Sequence, residues 1–297
     1  MSTAPLTADE NGPPTAPFEV LRAGSPPPTP VVFASPHSGR VYPDEMMAAS
    51  ALGPHDIRVS EDAFVDELIA PAPAKGAAVI QATFARAYVD LNREAWELDP
   101  GMFEDELPEF ARGRSARVAA GLGSIARVVA EGREIYSRKL SFAEAKRRIE
   151  TAHGPYHDAL GQLLAEARAT HGVAVLIDWH SMPSAAAGSP VKGAKPTDIV
   201  LGDRYGSSCA PELTRLAEKT LIALGYRVAR NAPYAGGWTT EHYGRPHLRT
   251  HALQIELSRA LYMDEKTLTA TDGLKRLRRD IGRLTEAVAA TDWSKLR

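Results

Sequence analysis

Cysteine is almost absent. The 297-residue chain holds one, Cys209, so no intramolecular disulfide can form and no zinc site can be built from thiolates. An excess of one charge is missing too. Lys+Arg 35 stand against Asp+Glu 37, a formal net charge of −2, which excludes a protein that coats nucleic acid through bulk charge. No apolar run approaches the roughly 20 residues that a membrane span needs. The opening stretch, MSTAPLTADENGPP, has neither the basic start nor the apolar core of a secretory signal. These absences predict a cytoplasmic protein with no nucleic-acid partner and no membrane partner.

What is present is ordinary for a loop-rich enzyme: 44% hydrophobic residues, 24% charged residues, Gly 23 and Pro 22. The length suits one large domain or two modest ones. Eight prolines fall within residues 1–30, which predicts an extended lead-in with Phe18–Arg22 as a short edge strand, ahead of one folded domain over 31–297.

The segment Val31-Val32-Phe33 ends in a Pro/Ser/Gly turn and reads as a buried strand. Residues 76–92 read as one or two strands, 173–179 as a central strand covered on both faces, and 251–263 as a strand running into a turn. Helices are expected over 60–70 with Ser60 as N-cap, over 116–136, over 141–172 behind the capping box Ser141-x-x-Glu144, over 211–225 and over 271–291. Strands alternating with helices of this length predict an α/β layered domain around a largely parallel sheet.

Open α/β sheets bind ligands at the carboxyl ends of their strands. Five segments place unusual polar residues there. Ser35-Pro36-His37-Ser38-Gly39-Arg40 puts an imidazole after a strand, although turns favour these residue types anyway. Asp178-Trp179-His180-Ser181 puts a carboxylate and an imidazole on one side of an extended strand. Packing does not account for that pair, since burying both is costly unless they are paired or coordinated. Ser60-Glu61-Asp62 could be metal-ligating or could simply favour a helix start through the macrodipole. Tyr88-Val89-Asp90-Leu91-Asn92-Arg93 offers a guanidinium fork for a carboxylate or an oxyanion, or a plain surface ion pair. Glu256 is a lone carboxylate between Ile255 and Leu257, and a buried glutamate of this kind makes a general base. Two histidines, several carboxylates and no usable thiolate fit a zinc bound by two histidines and one carboxylate, with a position open for water.

The segments SPHSGRVYP, SEDAFVDEL, RAYVDLNRE, LIDWHSMP, DIVLGDRYGSSC, YAGGWTTEHYGRP and ALQIELSRALYMDE together resemble the N-formylglutamate amidohydrolases. These are zinc hydrolases related to the zinc carboxypeptidases and to the succinylglutamate desuccinylase and aspartoacylase group. The resemblance runs from about residue 31 to 265. It implies a single three-layer α/β/α domain with a mixed sheet, one catalytic Zn2+ per chain, and a small-molecule N-acyl amino acid as substrate. A homo-oligomer stays open. His37 and His180 match the metal histidines, with Asp62 as third ligand and Glu61 as the alternative. The carboxypeptidase pattern has a glutamate three residues after its first histidine; Arg40 stands there in this chain, so the acidic ligand must come from elsewhere. Glu256 matches the general base, and Arg93 or Arg40 could stabilise the oxyanion.

A dicarboxylate product calls for cationic forks, for which Arg40, Arg93, Arg245 and Arg259 qualify. Asn92, Ser181, Thr239, Thr240 and His242 could add polar contacts to substrate, the last three from residues 234–246, which read as a mobile loop. Two other readings compete. One is a deacylase or carboxypeptidase-like hydrolase acting on another N-acyl amino acid or amide. The other is a binding module on the same fold. Cys209 reads as a small packing residue, because no histidine lies near it in the chain.

Overall fold

The computed structural model describes residues 16–22, 24, 28–129, 132–188 and 196–295. In chain order the regular elements are β1 (Phe18–Leu21), β2 (Val31–Ser35), α1 (Asp44–Ala49), α2 (Val65–Ile69), β3 (Ala78–Ala82), α3 (Ala116–Ala119), α4 (Phe142–Arg148), α5 (Gly154–His171), β4 (Ala174–Met182), β5 (Ile199–Gly202), α6 (Pro211–Ala223), β6 (Val228–Arg230), α7 (Trp238–Tyr243), β7 (Thr250–Ser258), β8 (Met263–Asp264), β9 (Thr269–Ala270) and α8 (Gly273–Ala289). The class is α/β, as the alternation predicts. No helix among the described residues is long and apolar enough to cross a membrane.

Seven strands form one sheet in the order β1-β3-β2-β4-β7-β5-β6. The pairs β2–β4, β4–β7 and β5–β6 run parallel, while β5–β7 runs antiparallel, so the sheet is mixed and largely parallel. Every residue of β2, β4 and β7 is buried, the signature of parallel strands covered on both faces. β1 forms at the sheet edge where a short strand was expected. Residues 1–15, 23 and 25–27 of the expected lead-in lie outside the described residues.

The chain divides into two compact units. One comprises Val20–Ser35, Phe64–Ile80 and Leu160–Arg297. Here α8 buries the stripe Leu277, Ile281, Leu284 and Val288, apolar every three or four residues as an amphipathic helix requires. Pro211 opens α6 at a position where its missing N–H leaves no bond unmade.

The other unit comprises the residues up to Glu19, Pro36–Ala63 and Gln81–Ala159, and is mostly turns and short helices. Several expectations hold only in part. Of the one or two strands expected over residues 76–92, one forms, Ala78–Ala82, while Tyr88–Arg93 is turn and loop. Among the described residues the expected helix over 116–136 shrinks to Ala116–Ala119, and its residues 130 and 131 lie outside them. Its periodicity misleads because Gly121 takes the left-handed region at φ 79°, which a continuing α-helix does not contain. The capping box forms as expected, with Ser141 accepting from the Glu144 N–H and Glu144 accepting from the Ser141 N–H. The long helix behind it is interrupted by a π-turn over Ile149–His153.

The helix expected over 60–70 forms only over Val65–Ile69, without Ser60 as its N-cap, and this matters for the site. Asp56–Ser60 is a 3-10 turn, and the helix starts only at Val65 because Phe64 sits in the left-handed region at φ 65°. Glu61 and Asp62 therefore do not occupy a helix N-terminus, and the macrodipole does not account for them.

Candidate metal centre and active site

His37 lies two residues beyond β2, in a turn whose path depends on Gly39, since a side chain there would overlap the carbonyl of Phe84. Its imidazole is buried. Nε2 is 2.7 Å from Asp90 Oδ1, so the carboxylate accepts from Nε2–H and leaves the lone pair on Nδ1. That Nδ1 faces Asp62 Oδ2 at 3.4 Å, and the Asp62 N–H donates to the His37 carbonyl at 2.9 Å. Asp90 is held from three sides: by His37, by Arg86, which donates to Oδ2 at 2.7 Å, and by the Asn92 N–H, which donates to Oδ1 at 2.9 Å. Burial alone would raise the Asp90 pKa. The charges of Arg86 and Arg93 and the hydrogen bond from His37 outweigh burial and hold it well below the usual carboxylate range.

On the sheet, Asp178 and His180 share one face of β4, and His180 Nε2 lies 3.0 Å from Asp178 Oδ2. No hydrogen bond is aligned to either Asp178 oxygen, although the side chain is fully buried. β7 runs beside β4 in a register that sets Gln254 against Asp178 and Glu256 against His180. The Gln254 amide donates to Glu256 Oε1 at 2.9 Å and accepts from the Gly237 N–H at 2.7 Å. A backbone donor thus fixes which way the amide points, and the amide in turn fixes the carboxylate.

His37, Asp62 and His180 each offer one ligand atom, and these atoms lie within 4.8 Å of one another, all three residues being buried. Such a group could hold a metal ion. The 3.4 Å between His37 Nδ1 and Asp62 Oδ2 matches the edge of a tetrahedron with bonds of about 2.0–2.1 Å, which is about 3.3–3.4 Å. Glu61, the alternative third ligand, is engaged elsewhere. Its Oε1 accepts from the Tyr42 hydroxyl at 2.7 Å and from Arg58 Nε at 3.0 Å, and its Oε2 accepts from Arg58 at 3.1 Å.

The remaining expected residues divide. Arg259 is buried at the end of β7 and donates Nε to Ser181 Oγ at 3.1 Å, joining two of them. Asn92 is buried next to Asp90, and Arg40 is half-buried. Arg93 donates to the carbonyls of Leu122 and Asn92 at 2.9 and 2.8 Å, which occupies two of its five donors. Residues 234–246 are not the open loop expected, since they contain α7, with Thr239 and Thr240 buried in it. His242 is exposed and stacks on Trp238 at 4.4 Å. Arg245 is exposed and donates to the carbonyls of Glu241 and Gly244. No contact among those described brings either residue to the histidines. Cys209 is a packing residue as expected. It is buried beside Thr214, and burial pushes its thiol pKa up to about 12.

Asp90 and Gln254 are residues that sequence reasoning passed over. The signal for Gln254 was its place two residues before Glu256 on a strand, hence on the same face. Asp90 lies 53 residues from His37 in sequence, and no local pattern connects them.

A model of the N-formylglutamate amidohydrolase family matches residues 29–263. The chain is 30% identical over 270 residues to the N-formylglutamate deformylase of Pseudomonas aeruginosa, covering 87% of this chain and 89% of that one. It is 30% identical over 239 residues to the deformylase of Pseudomonas putida, covering 80% and 82%. The crystal structure of N-formylglutamate amidohydrolase from Ralstonia eutropha JMP134 is similar over 93% of this chain and 98% of that one, at 37% identity and a TM-score of 0.86. With the family model spanning most of its length and relatives matched nearly end to end, this chain belongs to the N-formylglutamate amidohydrolase family of amide-bond hydrolases.

Proposed function

We propose that the protein hydrolyses N-formyl-L-glutamate to formate and glutamate, with one Zn2+ held by His37, Asp62 and His180. The observation that carries this reading is the His-Asp-His group in a chain of this family, with Glu256 beside His180 on the neighbouring strand. Two nitrogens, one carboxylate oxygen and no thiolate make a donor set that suits catalytic zinc and leaves a fourth position open. When bound, the metal polarises the formyl carbonyl and lowers the pKa of water at the site towards about 7.

The protein's own groups supply the rest. Asp90 and Asp178, each against a ring nitrogen, keep His37 and His180 oriented. Glu256 takes a proton from the attacking water as its oxygen bonds to the formyl carbon. It then delivers that proton to the departing amine as the C–N bond breaks. Arg93 or Arg40 stabilises the oxyanion. Arg259, steadied by Ser181, is the cation best suited to a substrate carboxylate, because a buried guanidinium binds one bidentately.

Formate release from N-formyl-L-glutamate, measured with and without a chelator, tests the reading. Release that stops on chelation and returns with zinc is expected. Stable zinc binding without formate release would overturn the substrate, and a panel of other N-acyl amino acids would then identify the amide cleaved.

A further inference from the structure

Three side chains from one helical stretch converge on a single short segment of backbone. Arg148, the last residue of α4, donates to the carbonyl of Tyr88 at 3.2 Å. His153, which closes the π-turn, has Nε2 2.9 Å from the Arg93 carbonyl. His157, in the first turn of α5, has Nε2 2.8 Å from the Leu91 carbonyl. Each is a donor, since a carbonyl only accepts. The segment they hold, 88–93, carries Asp90, Asn92 and Arg93.

The π-turn makes this convergence possible. In an uninterrupted α-helix, five residues overshoot a full turn by about 140°, so positions 148 and 153 would face different sides. The π-turn over Ile149–His153 bonds i to i+5 instead, which brings residue 153 round towards the side of 148. His157 then follows four residues later, and its ring lies 4.4 Å from that of His153.

One contact reaches further than the others. The Leu91 carbonyl and the Asn92 N–H belong to the same peptide group. His157 donates to the carbonyl end of that group. The N–H end donates to Asp90 Oδ1 at 2.9 Å, and Asp90 Oδ1 accepts from His37 Nε2 at 2.7 Å. A rotation of this one peptide would withdraw the donor from Asp90 and loosen the carboxylate that orients His37. Donors aligned through a peptide also polarise one another.

We propose that His157, acting through the Leu91–Asn92 peptide, is a positioning residue for His37, while His153 and Arg148 pin the two ends of the segment. The inference rests on the metal reading above. A merely structural tie would stabilise the loop without affecting the affinity of the centre for a metal.

The test compares His157→Gln, which keeps a donor nitrogen at the Nε2 position, with His157→Asn, whose amide is too short to reach, and His157→Leu, which has no donor. Zn2+ affinity of the full chain is measured by competition with a chromophoric chelator, alongside kcat and KM for formate release. We expect Asn and Leu to weaken Zn2+ binding about tenfold, the scale of partners that orient metal ligands, and Gln to restore most of it. Equal Zn2+ affinity in all three variants and the wild type would overturn the proposal, even if their melting temperatures fell. Should His157→Leu fail to fold, the Gln and Asn pair still decides. Wild-type protein that binds no Zn2+ would overturn the metal reading itself, and this inference with it.

Discussion

His180 on β4 and Glu256 on β7 are paired across a parallel ladder, two residues beyond Asp178 and Gln254. Partners in such a ladder project from the same face of the sheet. A histidine able to ligate a metal and a carboxylate able to move a proton therefore stand side by side, each with its orienting neighbour two residues earlier on its own strand. The sheet itself fixes their spacing, and no loop has to close to bring them together.

Replacing Glu256 with Gln keeps the shape and removes the base. Turnover of N-formylglutamate should fall by a factor of about 10² to 10⁴, the range that general-base catalysis contributes. Metal content, read by elemental analysis, should stay at one per chain, because Glu256 is not in the His-Asp-His group. Loss of metal along with turnover would show that Glu256 is a ligand.

Asp62 and Glu61 are adjacent but have different partners, His37 for the first and Arg58 with Tyr42 for the second. Asp62→Ala should abolish metal binding with a small effect on folding. Glu61→Ala should do the reverse, because it strips the buried Arg58 and Tyr42 of their shared acceptor. Removing one partner of a buried ion pair costs about 3–5 kcal/mol, and denaturant midpoints would report that loss. The opposite pattern of metal content between the two variants would exchange their roles.

Much of this centre could be read in the sequence, and for a physical reason. A wholly apolar strand that ends in Asp178-x-His180 has no packing explanation, so it points at chemistry. The buried strands were equally legible, since strands covered on both faces have nothing polar to interrupt them. What could not be read depends on contacts far apart in the chain or on single backbone angles. The Asp90–His37 bond spans 53 residues, and the left-handed Phe64 delays a helix that periodicity alone would start at Ser60. The π-turn is the clearest case. Adding one residue to a helical turn shifts the apolar pattern by a single position, which spacings of three and four residues disguise, yet it decides that His153 and His157 both face the segment carrying Asp90.

Gly39 precedes Arg40, whose N–H donates to the Thr83 carbonyl at 3.0 Å, and a Cβ on Gly39 would overlap the carbonyl of Phe84. Backbone cannot yield as a flexible side chain does, so Gly39→Ala must shift the turn that carries His37. We expect a stability loss of about 1–3 kcal/mol from overpacking, together with weaker metal binding. A variant with wild-type metal affinity would show that the turn relaxes without moving the imidazole.

Glu144 offers a pH test that does not involve the centre. Hydrogen bonds from Arg138 lower its carboxyl most. Partial burial opposes them, and the Ser141 N–H and hydroxyl add to the lowering, leaving a pKa of about 2 against an ordinary 4.5. The folded-state pKa is thus depressed. The unfolded chain takes up the proton near 4.5 while the folded chain resists, so the stability this carboxylate contributes is complete above 4.5 and fades as pH falls towards 2. Glu144→Gln removes the charge from the capping box and should lower stability at pH 7 by about 1 kcal/mol, the usual scale of a helix cap. Chemical denaturation at pH 7, 4 and 3 checks the sign, because the gap between wild type and variant should narrow steadily as the solution becomes more acidic. A gap that stays constant would mean that the glutamate caps α4 through its shape alone, with no contribution from its charge.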